Sequence, residues 1–264
     1  MRDPPLLSSV DPRGVATLVL NRPEVGNAYN GELIGALLRA LASLAGEPGL
    51  RALLLRGNGG HFQAGADLKW VKAIAGGTLA DNVEASRATA DAVDRLNRLP
   101  IPTVALVQGG CFGGGTGLVA ACDIVIAAED AVFSIAEVRW GLTAAIIIPQ
   151  LSDAISVRQL RRYALTGERF GAAEALRIGL VHKLVPRPDL EAAGEAMIAN
   201  LIGNGPAALA ETKALALKSA WGGFGPETLE ALVLGHALKR RSAEASEGLA
   251  SFVEKRAARW AAPA

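Results

Sequence analysis

Two glycine-rich segments have the residue types and spacing to do chemistry. Gly60-His61-Phe62-Gln63-Ala64-Gly65-Ala66-Asp67-Leu68 follows the apolar run Ala52-Leu53-Leu54-Leu55. Gly109-Gly110-Cys111-Phe112-Gly113-Gly114-Gly115-Thr116-Gly117 follows Thr103-Val104-Ala105-Leu106-Val107. Glycine after a strand lets the backbone turn sharply and a ligand approach closely. Two such loops on neighbouring strands aim two backbone N–H groups at one point, which is how an oxyanion is stabilised. Further along, Glu137 stands in a mostly apolar stretch. Partial burial there would raise its pKa and help it both to accept and to return a proton.

The elements that must position these residues read as an α/β chain. Residues 6–10 and 15–20 flank Asp11-Pro12-Arg13-Gly14, a β-hairpin signal. Asn30 is placed to cap a helix running to about residue 45, with Leu33, Ile34, Leu37, Leu38, Leu41 and Leu44 at helical spacing. A strand over 51–55 leads to the first glycine loop, and a helix over 80–98 stops before Pro100 and Pro102. A strand over 103–107 leads to the second loop and a short helix through Val119-Ala120-Ala121. Buried strands are expected over 123–127, 131–135 and 179–185. Beyond Pro188 the pattern is helical, over 190–202, 206–219, 226–241 and 246–260. This predicts a core over residues 1–200 and a C-terminal helical region over 201–264.

Half of the 264 residues are hydrophobic and 20% are charged, as in a well-buried globular protein. A net charge of +1 argues against a general nucleic-acid or membrane-surface binder, so an anionic ligand needs a local basic cluster. Cys111 and Cys122 read as reduced, which suits a cytoplasmic protein. His61, His182 and His236 are scattered, and no cluster has metal spacing. Met1-Arg2-Asp3-Pro4-Pro5 does not read as a signal or transit peptide, and the apolar run 144–148 is far too short to span a bilayer.

Further segments join the two loops: Asn21-Arg22-Pro23 with Asn27-Ala28, Ala121-Cys122-Asp123-Ile124, and Ala136-Glu137-Val138-Arg139-Trp140-Gly141-Leu142. Leu165-Thr166-Gly167-Glu168-Arg169, 174–181 and Phe252-Val253-Glu254-Lys255-Arg256 complete the set. In this order they resemble the enoyl-CoA hydratase/isomerase (crotonase) superfamily over nearly the whole chain. The resemblance implies an α/β fold, a crotonase-like spiral of ββα units with a C-terminal helical trimerisation region. It assigns the oxyanion hole to the N–H groups of Ala64 and Gly114, and the catalytic carboxylate to Glu137. It implies that Arg22, Asn27, Ala28, Gly65, Ala66, Asp67, Leu68, Lys69, Gly113 and Gly117 bind the acyl-CoA. Phe252 and Lys255 match family residues that reach CoA from a neighbouring subunit. Trp70, Val71, Trp140 and Ile146 to Ile148 are expected in the acyl pocket or the core. CoA is part of the substrate; no metal and no redox cofactor are implied, and the partner is a second copy of the chain, in a trimer or a dimer of trimers.

Family hydratases bracket a water between two glutamates. The first falls on Gly117 here and the second on Glu137. The loop 112–118, Glu137-Val138-Arg139 and Pro149 resemble the methylglutaconyl-CoA and isohexenylglutaconyl-CoA hydratase branch. The expectation is therefore an enoyl-CoA hydratase working with one glutamate on a branched or carboxylated glutaconyl-type chain. Glycine at 117 is expected to remove a charge and open space for that chain. The alternatives are a 3-enoyl to 2-enoyl-CoA isomerase using the same glutamate, and a non-catalytic acyl-CoA-binding protein.

Overall fold

An aspartate turn starts the main sheet. The Asp11 carboxylate accepts the N–H groups of Arg13 and Val15 at 2.8 and 3.1 Å. That sets β1 (Leu6–Val10) antiparallel to β2 (Val15–Leu20), as the hairpin signal predicts. The computed structural model describes residues 3–221, 235, 239 and 242–261. From β2 onward the sheet is parallel, through β3 (Ala52–Gly57), β4 (Thr103–Val107), β6 (Ile124–Ala128) and β9 (Lys183–Val185). Parallel neighbours need crossovers, and α1 (Gly31–Ala45), α2 (Leu68–Ala75) and α3 (Leu79–Asn97) supply the first two. Asn30 caps α1 as expected, its side chain accepting the N–H of Leu33 at 3.0 Å.

A second, smaller sheet joins β5 (Gly110–Phe112), β7 (Val132–Ser134) and β8 (Phe170–Gly171). Thus β4 and β5 are followed by α4 (Gly114–Ala120), and β6 and β7 by α5 (Ile148–Thr166). Each ββα unit gives one strand to each sheet, which is the spiral that the resemblance implies. One face of the main sheet packs on α1 and α3 through Leu33, Leu37, Leu41, Val93 and Leu96. The other packs on α7 (Leu190–Ile202), whose Leu190 and Ile198 meet Val104, Leu106 and Ile126. β4 is buried along its whole length, hence its unbroken apolar run.

Several elements differ from the sequence reading. α2, α5, α6 (Ala172–Ile178), β5 and β8 are additional. In α5 the apolar periodicity is broken at Ser156, which sits at φ +64° and kinks the helix. β5 is three residues inside a glycine run, and α2 and α6 are only about two turns long. The last helix is Ala243–Glu254, followed by a short 3-10 turn at Arg259–Ala261. The helix expected over 226–241 lies outside the described residues except for 235 and 239.

Candidate active site

Backbone pairing brings three segments together. The Gln63 N–H donates to Gly110 O at 3.1 Å and the Phe112 N–H to Gln63 O at 2.9 Å. On the other edge the Tyr29 N–H donates to Gly65 O and the Asp67 N–H to Tyr29 O, both at 2.8 Å. The two glycine loops therefore lie side by side, with residue 29 along the first. Every buried N–H needs an acceptor, so the ones left over are informative. The Ala64 N–H is not left over: it donates to Gly26 O at 2.8 Å. Gly65, at φ +90°, then turns the chain. The N–H groups of Gly65, Ala66, Gly114 and Gly115 have no protein acceptor among the described residues. The expected donor pair is corrected accordingly: Ala66, not Ala64, stands with Gly114 as a free donor.

Arg22, Asn27 and Ala28 brace the first loop. Asn27 is fully buried at φ +58°. Its amide donates to Asn58 O and His61 O at 2.8 Å, and its oxygen accepts the Arg22 N–H at 2.8 Å. The Arg22 guanidinium donates to Ala28 O and pairs with Asp67 at 3.1 Å. Asp67 in turn caps α2, accepting the N–H groups of Lys69 and Trp70. Burial works against its ionisation, but Arg22 and these two N–H bonds outweigh burial and hold the carboxyl below its usual range. The Arg22, Asn27 and Asp67 side chains are thus engaged within the protein, and the Asp67 carboxylate anchors its own loop; any contact of these segments with CoA falls to their backbone. Leu68 and Lys69 are exposed on the first turn of α2. Lys255 is exposed just past the last helix; the Phe252 side chain lies outside the described set.

Glu137 begins a 3-10 turn (Glu137–Trp140) directly after the strand β7 and its short connection. The turn points Glu137 inward and leaves Val138, Arg139 and Trp140 exposed. Trp140 is 65% exposed and does not line the acyl cavity, a further correction. Glu137 is half-buried, and burial raises its carboxyl above the ordinary value. Its Oε2 is buried with no hydrogen-bond partner. A Cβ on Gly113 would stand 2.9 Å from Glu137 Oε1, so only glycine, here at φ +51°, lets the carboxylate lie against the loop.

The space at Gly117 is not open. A Cβ there would be 2.8 Å from Ile147 Cβ and closer still to Cγ2. Ile147 is 2% exposed and fills the place where the first carboxylate would stand. Beside it lies a small apolar cavity of about 30 Å³ lined by Tyr29, Leu33, Leu37, Gly114, Leu118 and Ile147. Gln63 and Thr89 are the other polar side chains on its wall. Sequence reasoning missed Tyr29 and Gln63, although each adjoins or lies within a quoted motif. Cys111 and Cys122 are buried and unbridged, and burial raises both thiols. Among the described residues no cluster of His, Cys, Asp and Glu is placed to hold a metal, and no helix is long and apolar enough to cross a membrane.

The comparisons agree with this geometry. The family model described as enoyl-CoA hydratase/isomerase matches residues 11–263. The crystal structure of an enoyl-CoA hydratase from Shewanella pealeana superposes with a TM-score of 0.92 at 36% identity, over 97% of this chain and 96% of that one. A hydroxycinnamoyl-CoA hydratase-lyase of Pseudomonas fluorescens is 32% identical over 76% of this chain and 74% of its own. A peroxisomal Δ(3,5)-Δ(2,4)-dienoyl-CoA isomerase of Arabidopsis thaliana is 30% identical over 76% and 77%. Paired glycine loops, a carboxylate against the second of them and a match along almost the entire chain converge on one conclusion: the chain belongs to the enoyl-CoA hydratase/isomerase family.

Proposed function

We propose that the protein is an enoyl-CoA hydratase that adds water across the 2,3 double bond of a branched enoyl-CoA. The observation that carries this reading is the Glu137 carboxylate, half-buried with a free Oε2, lying against Gly113 next to the unpaired Gly114 N–H. The thioester oxygen accepts the N–H groups of Ala66 and Gly114. Both bonds strengthen as negative charge gathers on that oxygen in the enolate, so they favour the transition state over the ground state. Glu137 takes a proton from water as the oxygen attacks C3, then delivers that proton to C2. The chemistry needs no metal or redox group; CoA arrives as part of the substrate.

The apolar wall of the cavity supports a branched hydrocarbon end. The carboxylated glutaconyl-type chain has less support, because no Lys or Arg lines the cavity to pair with a buried anion. A single-carboxylate isomerase is the second reading, favoured by the absence of an acid at 117. The family also implies a homotrimer or a dimer of trimers; exposed Trp140, Val157 and Leu165 support a subunit contact.

The test follows oxygen. A panel of branched 2-enoyl-CoA thioesters in ¹⁸O-labelled water should give labelled 3-hydroxyacyl products. Glu137→Gln should lower kcat at least about 10²-fold with KM nearly intact. Movement of a 3-enoyl double bond with no label taken up from any 2-enoyl-CoA would establish the isomerase instead.

A further inference from the structure

We propose that the Tyr29 hydroxyl is the second group that holds the attacking water, opposite Glu137, in place of the missing carboxylate. This rests on the hydratase reading above. Two consecutive glycines carry the geometry. Glu137 lies against Gly113, and the Tyr29 ring lies against Gly114. A Cβ on Gly114 would stand 3.2 Å from Tyr29 Cζ, the carbon that bears the hydroxyl, and closer still to Cε1. Gly114 and Gly117 are three residues apart on α4 and share a face. Tyr29 is therefore one helical turn from the position where a first glutamate would project.

The ring is held for the task. Trp70 packs edge-on against it, with centroids 5.8 Å apart and planes at 66°. Its backbone is pinned between Gly65 and Asp67. The other hydroxyls nearby are engaged: Thr89 donates to Ala85 O at 2.8 Å and Thr116 to Gly113 O at 2.6 Å. Gln63 is 1% exposed with its amide packed against Gly115. The Tyr29 hydroxyl bonds to no side chain or carbonyl among the described residues. Burial, and the Glu137 carboxylate after it, push the phenol up to about 12, so it stays protonated and acts as a donor, not a base. It donates to one lone pair of the water and leaves the other aimed at C3, while Glu137 accepts the water proton. Tyr29 neither gains nor loses a proton in the cycle.

Tyr29→Phe keeps the ring, the Trp70 contact and the fit to Gly114, and removes only the hydroxyl. Two reactions of this variant separate the roles. Hydration of the best 2-enoyl-CoA needs the water. Exchange of the C2 hydrogens of butyryl-CoA in D₂O needs the oxyanion donors and Glu137, but no attack at C3. The expected result is a hydration kcat lower by about 10- to 100-fold, with KM and the exchange rate within about threefold of the parent. Unchanged hydration would overturn the proposal. So would an equal fall in exchange, which would make Tyr29 an oxyanion donor or a structural residue. A parent enzyme that exchanges butyryl-CoA yet hydrates nothing would instead overturn the hydratase reading, and the proposal with it.

Discussion

Gly117→Glu would restore the family's first carboxylate on paper, but Ile147 blocks it. Carbon atoms in ordinary contact sit about 3.5–4.0 Å apart. A Cβ at 117 would begin 2.8 Å from Ile147 Cβ, with two more side-chain carbons and a charged carboxylate still to place. Overpacking of this kind costs about 1–3 kcal/mol. Replacing glycine within α4 returns about 0.5–1 kcal/mol of helix propensity. Desolvating the new carboxylate removes that gain, so the net loss is roughly 1–3 kcal/mol. In a chain of this length that lowers Tm by about 2–4 °C per kcal/mol. Ile147→Ala alone leaves a cavity and costs about 2–5 kcal/mol. In the double variant the glutamate occupies the vacated volume, so the two costs should fall short of their sum by about 0.5–3 kcal/mol. Thermal unfolding of the four proteins measures the coupling, and crotonyl-CoA hydration reads the function. The double variant should hydrate crotonyl-CoA faster than either single variant. If Gly117→Glu alone is as stable as the parent and gains crotonyl-CoA activity, Ile147 does not occupy that space and the reasoning fails.

Four further outcomes follow from the same structure. Glu137 must be ionised to take a proton and burial favours its neutral form, so kcat/KM should fall on acidification through a midpoint above the ordinary 4.5, and a limb at 4.5 would refute the burial. The same raised pKa means that its contribution to stability is present below 4.5 and lost as pH rises through the shifted value. Glu137→Gln should therefore melt above the parent near neutrality and level with it near pH 4. Ser156 lies at φ +64°, ψ 153°, a region nearly confined to glycine, so Ser156→Gly should raise Tm by roughly 2–4 °C, and a lower Tm would show that the kink is not strained. Asn27→Ala leaves two carbonyls and the Arg22 N–H unpaired in a buried place and should cost about 3 kcal/mol in denaturant unfolding.

What was legible in the sequence is what local physics dictates. The Asn30 cap, the apolar runs of β2 to β4 and the 190–202 helix depend on neighbours within a few residues, and they stand where the patterns put them. Glu137 was legible because a carboxylate in an apolar stretch is costly without a purpose. The free N–H groups were not legible. Whether Ala64 or Ala66 donates depends on Gly26, nearly forty residues away, and on the turn at Gly65. The bracing roles of the Arg22 and Asn27 side chains were not legible, because their partners, Asp67, Asn58 and His61, lie more than thirty residues away. Ile147 at Gly117 was invisible for a similar reason: a glycine announces missing volume but not what fills it.

That point applies to the whole second loop. The loop glycines read as a sharp turn with close ligand approach, and Gly117 as open space, yet of Gly113, Gly114, Gly115 and Gly117 only Gly113 has a positive φ. Each instead gives up its Cβ to a different side chain: Glu137, Tyr29, Gln63 and Ile147 in turn. The glycines thus form a flat surface on α4 onto which three other parts of the chain project, and the identity of each projecting group sets the chemistry at that spot. Changing a projecting residue alters the reacting groups without disturbing the loop, whereas changing a glycine collides with a neighbour. Residues 29, 63, 137 and 147 are therefore the groups for which the glycine motif keeps the surface clear.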